Sequence, residues 1–377
     1  MAADATTAPR PRRRWRVVLI VVLLLAIFVV GFLLRLAWLG GVFTSIKPHF
    51  AGHCRLVEGP VGPEDLTIDA PARRAIVSAS DRRAMLAGHP VPGGIWSYSL
   101  DAVDAMPVNM TPDPGLYLQP HGISLWREPD GRAALFVVNH PAPGHGWPAH
   151  TIEIFDVLGD ALVHRATLTD PRLVMPNDLV AVGLDRFYVT NTHAHGPGRM
   201  QDLETYLQLS GAQVLHYGPG GFSTAIAKLV FPNGINVSPD GRTVYIAAVT
   251  WRSVLVYDRD PATDVLTPRG SIAIGSGGDN IEVDDQGQLW IGAHPKLLAV
   301  PKHAADPANL APAQVLRVSA DGKTVDEVYL NDGQPIGAAS VGARFANRLL
   351  IGQIFGNGFL DCEMEGGGSG VSEPVSL

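Results

Sequence analysis

Several short stretches of the 377-residue chain place polar side chains directly ahead of apolar, β-forming runs. Asn177-Asp178 leads into Leu179-Val180-Ala181-Val182, and Glu64-Asp65 into Leu66-Thr67-Ile68. His121-Gly122 precedes Ile123-Ser124-Leu125, Asn233-Gly234 precedes Ile235-Asn236-Val237, and Asp279-Asn280 precedes Ile281-Glu282-Val283. An adjacent amide and carboxylate at the mouth of a buried strand are costly unless something satisfies them. A hard cation would do so, because both groups offer oxygen. No Cys or His cluster with zinc spacing competes with that reading.

The spacing says how such distant residues could meet. The polar heads start at 64, 121, 177, 233 and 279, with a degenerate sixth copy at Gly337-Ala338-Ala339-Ser340-Val341. The period is about 55 residues, the scale of one four-stranded repeat. Each head-and-strand is followed by a turn and a second strand. Ser238-Pro239-Asp240-Gly241-Arg242 runs into Val244-Tyr245-Ile246-Ala247, and Asp284-Asp285-Gln286-Gly287 into Leu289-Trp290-Ile291-Gly292. Pro-Asp-Gly and Asp-Gln-Gly are turn chemistry. The pattern predicts an all-β fold, a six-bladed β-propeller with four-stranded blades over residues 50–364. If each head opens an innermost strand, all the heads converge at one end of the central channel. A β-sandwich with accidental spacing is the competing reading.

Ahead of this domain stands a different kind of sequence. Arg10, Arg12, Arg13, Arg14 and Arg16 precede Val17–Leu34, an uninterrupted apolar run. As a helix these 18 residues span about 27 Å, near the hydrocarbon thickness of a bilayer. The expectation is a basic cytoplasmic N-terminus over 1–16 and one transmembrane signal-anchor helix over 17–38. The propeller then lies on the periplasmic or extracellular side. A cleaved signal peptide, the alternative, would have a shorter apolar core and a small-residue cleavage site. Of 29 basic and 36 acidic residues, six Arg and one Asp fall in 1–35, so residues 36–377 carry a net charge of −12. That balance argues against nucleic acid as a partner. The two cysteines, Cys54 and Cys362, bracket all six repeats, where a disulfide would close the ring; two buried thiols are the alternative. The stretch Asn191–Gln208 reads as a loop or short helix over one face. Residues 365–377, rich in Gly and Ser, read as a flexible tail.

Taken together, these motifs resemble the paraoxonase/arylesterase family. Pro63-Glu64-Asp65-Leu66, Pro120-His121-Gly122-Ile123-Ser124 and Val137-Val138-Asn139-His140-Pro141 carry the likeness. So do Pro176-Asn177-Asp178-Leu179-Val180-Ala181-Val182-Gly183, Asn233-Gly234-Ile235-Asn236-Val237-Ser238-Pro239-Asp240-Gly241 and Trp290-Ile291-Gly292-Ala293-His294-Pro295. The resemblance implies a six-bladed propeller with two calcium ions in its channel. It assigns Glu64, Asn177, Asn233, Asp279 and Asn280 to a catalytic calcium. Asp65, Asp178 and the backbone carbonyl of Ile123 would hold a deeper, structural one. His121 and His140 match the family's histidine pair, and His193 and His294 match residues of its substrate pocket. Thr192 departs from the pattern, standing where relatives carry an acid.

The implied activity is calcium-dependent hydrolysis of lactones and aryl esters, with small-molecule substrates. Calcium would polarise the carbonyl, and a water activated by His121 or by a metal-bound carboxylate would attack it. No Gly-x-Ser-x-Gly elbow occurs, which disfavours a serine acyl-enzyme. The alternatives are a gluconolactonase-like or strictosidine-synthase-like propeller, or a non-catalytic, membrane-tethered calcium-binding module.

Overall fold

The computed structural model describes residues 11–102, 104–112, 116–141 and 150–365. The first ten residues and nearly all of the Gly- and Ser-rich tail lie outside the described residues. The expected propeller is present. Six antiparallel sheets follow one another along the chain, and the first strand of each contacts the first strand of the next in a closed ring. These six inner strands are Pro63–Asp69, Pro120–Arg127, Pro176–Gly183, Pro232–Val237, Gly277–Val283 and Ala339–Phe345, opening blades one to six. Each polar head therefore does begin an innermost strand. The second strands are those announced by the turns. Asp240 Oδ1 accepts from Arg242 N at 3.0 Å, and Asp284 Oδ1 accepts from the backbone N–H groups of Gln286 and Gln288.

Neighbouring blades are held by apolar packing. There are six buried clusters among the described residues, one at each blade interface. Ala247 and Val254 of blade four, for instance, pack with Ile291 and Leu316 of blade five. Each fully buried Val or Leu of this kind contributes about 1.5–3 kcal/mol.

Ring closure uses the chain's N-terminal side. Gly52–Val61 is the outermost strand of blade six and pairs with Asn357–Met364. Cys54 and Cys362 are register partners on these strands and form the expected disulfide, which spans 308 residues of sequence. A cross-link over so long a loop removes denatured-state entropy worth on the order of several kcal/mol. Blade five exceeds the four-strand plan, because His49–Phe50 adds a short fifth strand beside Val325–Leu330.

The N-terminal helix runs from Pro11 to Leu39, starting six residues before the apolar run. Pro is compatible with a first helical turn and Arg is a good helix former, so the basic segment continues the helix. It ends at Gly40-Gly41, where Gly41 takes φ 73° and a Cβ would sit 1.9 Å from the Pro295 carbonyl oxygen. There the helix docks on the domain. Arg252 donates to the Trp38 carbonyl at 3.0 Å, with its guanidinium 5.0 Å from the centre of the Trp38 indole.

Candidate metal centre and histidine row

One backbone device builds the site six times. In every blade the pairing between first and second strands slips at the polar head. Pro176 faces Asn191 but Leu179 faces Val189, so one extra residue sits on the inner strand. The same slip occurs after Pro63, Pro120, Pro232, Gly278 and Ala339. A regular strand sends successive side chains to opposite faces, whereas a bulge re-aims one of them. Glu64-Asp65, Asn177-Asp178 and Asp279-Asn280 can thus both serve the channel from adjacent positions. The glycines beside the heads answer the resulting crowding. A Cβ on Gly122 would lie 2.5 Å from Asp178, and one on Gly234 2.3 Å from the Asp279 carbonyl.

At the channel mouth Glu64, Asn177, Asn233, Asp279 and Asn280 are all buried. Asn280 Nδ2 donates to Glu64 Oε1 at 3.0 Å, and His294 Nε2 lies 2.9 Å from Asp279 Oδ2. Four oxygens on four different inner strands accept no hydrogen bond: Glu64 Oε2, Asn177 Oδ1, Asn233 Oδ1 and Asn280 Oδ1. A buried acceptor left unpaired costs about 1–3 kcal/mol. Glu64, Asn177 and Asn233 stand at equivalent positions and Asn280 one residue further on, and together their oxygens make a donor set that would suit an oxygen-seeking cation. Among the described residues no three His, Cys, Asp or Glu side chains converge as a metal cluster. The mouth instead combines carboxylates with amides, which suits calcium and not zinc. Burial opposes ionisation of Glu64, yet His121, Arg82 and Asn280 outweigh it and hold its carboxyl below the usual range. Burial pushes the Asp279 carboxyl up, and His294 counters part of that shift.

One layer deeper, Asp65 accepts from Leu66 N at 2.9 Å and from Ile123 N at 2.7 Å. Asp178 accepts from Leu179 N at 2.7 Å and Ile235 N at 2.8 Å. Each carboxylate therefore ties its own blade to the next. Burial pushes both carboxyls well up, and repulsion among Asp65, Asp178, Glu64 and Glu282 adds to it. A divalent cation between them would remove that conflict, and the Ile123 backbone reaches the same layer, since its N–H bonds Asp65. Glu282, lower in the channel, accepts from Thr67 and Asn236, and burial raises its pKa to about 8. A cavity of about 860 Å³ opens below it, at the end of the channel away from His121.

His121 and His140 are in contact, as their pairing implied. His121 Nδ1 lies 2.8 Å from His140 Nε2. His121 Nε2 faces the mouth, 3.4 Å from Asn177 Nδ2 and 3.4 Å from Glu64 Oε1. The row continues to a residue that sequence reasoning missed: His140 Nδ1 is 2.8 Å from His150 Nδ1. Burial, with His121 and His150 as neighbours, holds the His140 pKa well below normal. Arg82 was missed as well. Its guanidinium donates to the Gly62 carbonyl and lies 3.6 Å from Glu64 Oε2. Only the Asp81 helix cap in front of it marks that position in the sequence.

The hydrogen bonds of His193 go to hydroxyls and not to the channel-mouth oxygens. Thr192 Oγ1 and Thr205 Oγ1 hold its two ring nitrogens at 3.0 and 2.8 Å, and its ring packs on Phe231. Thr205 belongs to the helix Arg199–Leu207, formed within the expected insertion. This histidine is clamped by the neutral hydroxyls of Thr192 and Thr205, and burial lowers its pKa.

Comparison with known proteins agrees with this geometry. The family model described as Arylesterase matches residues 89–364. Human serum paraoxonase/arylesterase 1 is 32% identical over 332 residues, covering 85% of this chain and 91% of that protein. Chicken serum paraoxonase/arylesterase 2 is 32% identical over 333 residues, with the same coverage. A luciferin-regenerating enzyme has a similar structure, with a TM-score of 0.51 at 13% identity, covering 84% of this chain and 96% of that one. Regucalcin from Agrobacterium tumefaciens, described as a calcium-binding protein, gives a TM-score of 0.50 at 16% identity, covering 84% and 95%. At these identities the two structural neighbours speak to the fold alone.

Proposed function

Because the chain belongs to the arylesterase (paraoxonase) family, we propose that it is a calcium-dependent hydrolase of lactones and aryl esters. The observation that carries this reading is the set of four buried oxygens around the channel mouth that accept no hydrogen bond, next to His121 Nε2. Glu64, Asn177, Asn233, Asp279 and Asn280 would hold the catalytic ion, and Asp65, Asp178 and the Ile123 carbonyl the structural one. When bound, calcium supplies Lewis-acid polarisation of the ester carbonyl and positive charge for the developing oxyanion.

The chain's own residues do the rest. His121 Nε2 accepts a proton from the attacking water. Asn177 holds the imidazole edge, and Glu64 Oε1 stands ready to pair with the imidazolium that results. His140 supports the far nitrogen of the same ring. His294 fixes the Asp279 carboxylate. His193 and His294 would face the acyl or leaving group. The test is a panel of aliphatic lactones and phenyl acetate, assayed with saturating calcium, after chelation and after calcium is restored. Both substrate classes should turn over, with loss and recovery following the metal. No turnover of any lactone or aryl ester in saturating calcium would sink the assignment.

We further propose that the N-terminal helix anchors the enzyme in a membrane, with the propeller outside the cytoplasm. Trp15–Leu39 has a mean hydropathy of 3.6, and its apolar side chains from Val17 to Leu34 are almost all exposed on the protein. Only lipid would cover that surface at no cost. The protein should stay in the membrane pellet through an alkaline carbonate wash. A soluble native protein whose N-terminus lies beyond residue 39 would refute the anchor.

A further inference from the structure

We propose that Asn139 and Asn191 are positioning residues: each clips the chain just ahead of its own blade's polar head. Asn139 sets His121 against His140, and Asn191 sets Asn177 at the channel mouth. The two clips have the same form. Each Asn ends a second strand and faces the proline that opens the inner strand, Pro120 in blade two and Pro176 in blade three. Asn139 Oδ1 accepts from Gln119 N at 2.8 Å, and Asn191 Oδ1 from Met175 N at 3.0 Å. Asn139 Nδ2 donates to the Tyr117 carbonyl at 3.2 Å, and Asn191 Nδ2 to the Arg172 carbonyl at 3.0 Å. The residue after each Asn completes the grip, since His140 N donates to the Gln119 carbonyl and Thr192 N to the Met175 carbonyl. Gln119 and Met175 are thus held at both backbone groups, two residues ahead of His121 and Asn177.

Neither amide can turn round. Its oxygen meets a backbone donor and its nitrogen a backbone acceptor, so a flip would set like against like. Blade two fixes the orientation a second time. Asn139 Nδ2 also lies 3.3 Å from Glu153 Oε1, and a carboxylate can only accept. Glu153 is itself fully buried and bonded by Thr151 and Thr167.

The blade plan does not require these side chains. Blades one, four and five carry Ala79, Ala248 and Ala293 at the same strand end. In blades one and four the backbone bond alone is made there, from Ser80 N to the Gly62 carbonyl and from Val249 N to the Phe231 carbonyl. The amides stand instead where the head itself needs holding. The strand slip leaves His121 and Asn177 outside the pairing between first and second strands. On the far side of the slip Ile123 is tied to Asp65 and Asp178 to Ile235, each across a blade boundary. On the near side the grip is the clip. Asn177 depends on it most, because among the described residues its side chain bonds only His121.

Asn139→Ala and Asn191→Ala in the full-length protein test this, and the alanines of the other blades show that Ala suits the position. Both should lower Tm by similar amounts, since each frees one buried N–H. Function should divide them. Asn139→Ala should lose about tenfold to a hundredfold in kcat, the scale of a misplaced catalytic group, with KM and calcium binding within twofold of wild type. Its crystal structure should show His121 parted from His140, a contact of 2.8 Å in the wild type. Asn191→Ala, titrated with calcium by calorimetry after chelation, should bind the mouth ion about tenfold to a hundredfold more weakly, as metal sites do when a ligand loses its outer support. The kcat arm rests on the reading of His121 as the base. Crystal structure and calorimetry need no turnover, so they give their answers even if the hydrolase reading fails. An intact histidine contact in Asn139→Ala, or calcium binding within twofold of wild type in Asn191→Ala, would overturn the proposal. So would an equal loss of calcium binding in both variants, which would make the clips parts of the fold alone. Should Asn139→Ala not fold, Asn139→Ser, too short to span Gln119 and Tyr117 together, takes its place.

Discussion

Replacing Asp178 with Ala should lower Tm by roughly 5–15 °C in saturating calcium and abolish the rise in Tm that calcium gives the wild-type protein. Two backbone N–H groups, of Leu179 and Ile235, lose their acceptor inside the channel wall. Each buried donor left unpaired costs about 1–3 kcal/mol, and for a large domain each kcal/mol is worth about 2–4 °C. The link from blade three to blade four is cut in the same step. The deeper ion would go too, and with it stabilisation that grows with ligand concentration. Asp178→Asn, which keeps one acceptor, should fall between. The sign in chelated wild type is the reverse of the usual carboxylate case. Burial and mutual repulsion raise the pKa of Asp65 and Asp178 in the folded protein. The folded state then keeps protons that the unfolded chain has released, so stability falls as pH rises from the unfolded value towards the folded one. Calcium should erase that decline. Melting curves with and without calcium, from acid to neutral pH, measure all of this; an Asp178→Ala Tm equal to wild type would refute the structural-ion assignment.

Asn233→Ala should do the opposite. Its Oδ1 is buried and meets no donor, so deleting it removes no hydrogen bond from the protein and relieves a desolvation cost. Tm in chelator should stay level or rise. Activity should drop about a hundredfold or more, the scale of losing an electrostatic contact to the transition state. Stability gained while function is lost is the signature of a group kept for a ligand. Asp279→Ala should lose as much activity, but it also leaves His294 without its partner, so it is the less clean variant. A rate within threefold of wild type for Asn233→Ala at limiting calcium would remove Asn233 from the ion's ligands.

Much of this fold is legible in the sequence. Polar heads at a period of about 55 residues, each followed by Pro-Asp-Gly or a similar turn, carry the blade plan because they are local signals. Cys54 and Cys362 carried the closure because they stand at the two ends of the repeat region, and the fold brings both together inside blade six. The slip at each head was not readable. It depends on the register between two strands, which no single strand encodes, although it explains why polar residues come there in pairs. His150 was hidden for a similar reason. It follows a Pro- and Gly-rich stretch with no periodicity, and only the fold brings it to His140, ten residues earlier. Arg82 likewise acquires meaning only when Glu64, on the inner strand of blade one, faces it. The early start of the N-terminal helix reflects helix propensity in a segment chosen for charge.

The central claim is that two ions serve separate roles in one channel, and a calcium titration of chelated wild-type protein tests it most directly. Bound metal, Tm and lactone hydrolysis are read in the same samples, with Asn233→Ala alongside. The account predicts two calcium ions per wild-type chain and hydrolysis that appears only with metal. Asn233→Ala should keep the rise in Tm but gain almost no activity. Undiminished hydrolysis by exhaustively chelated, folded wild type would contradict it.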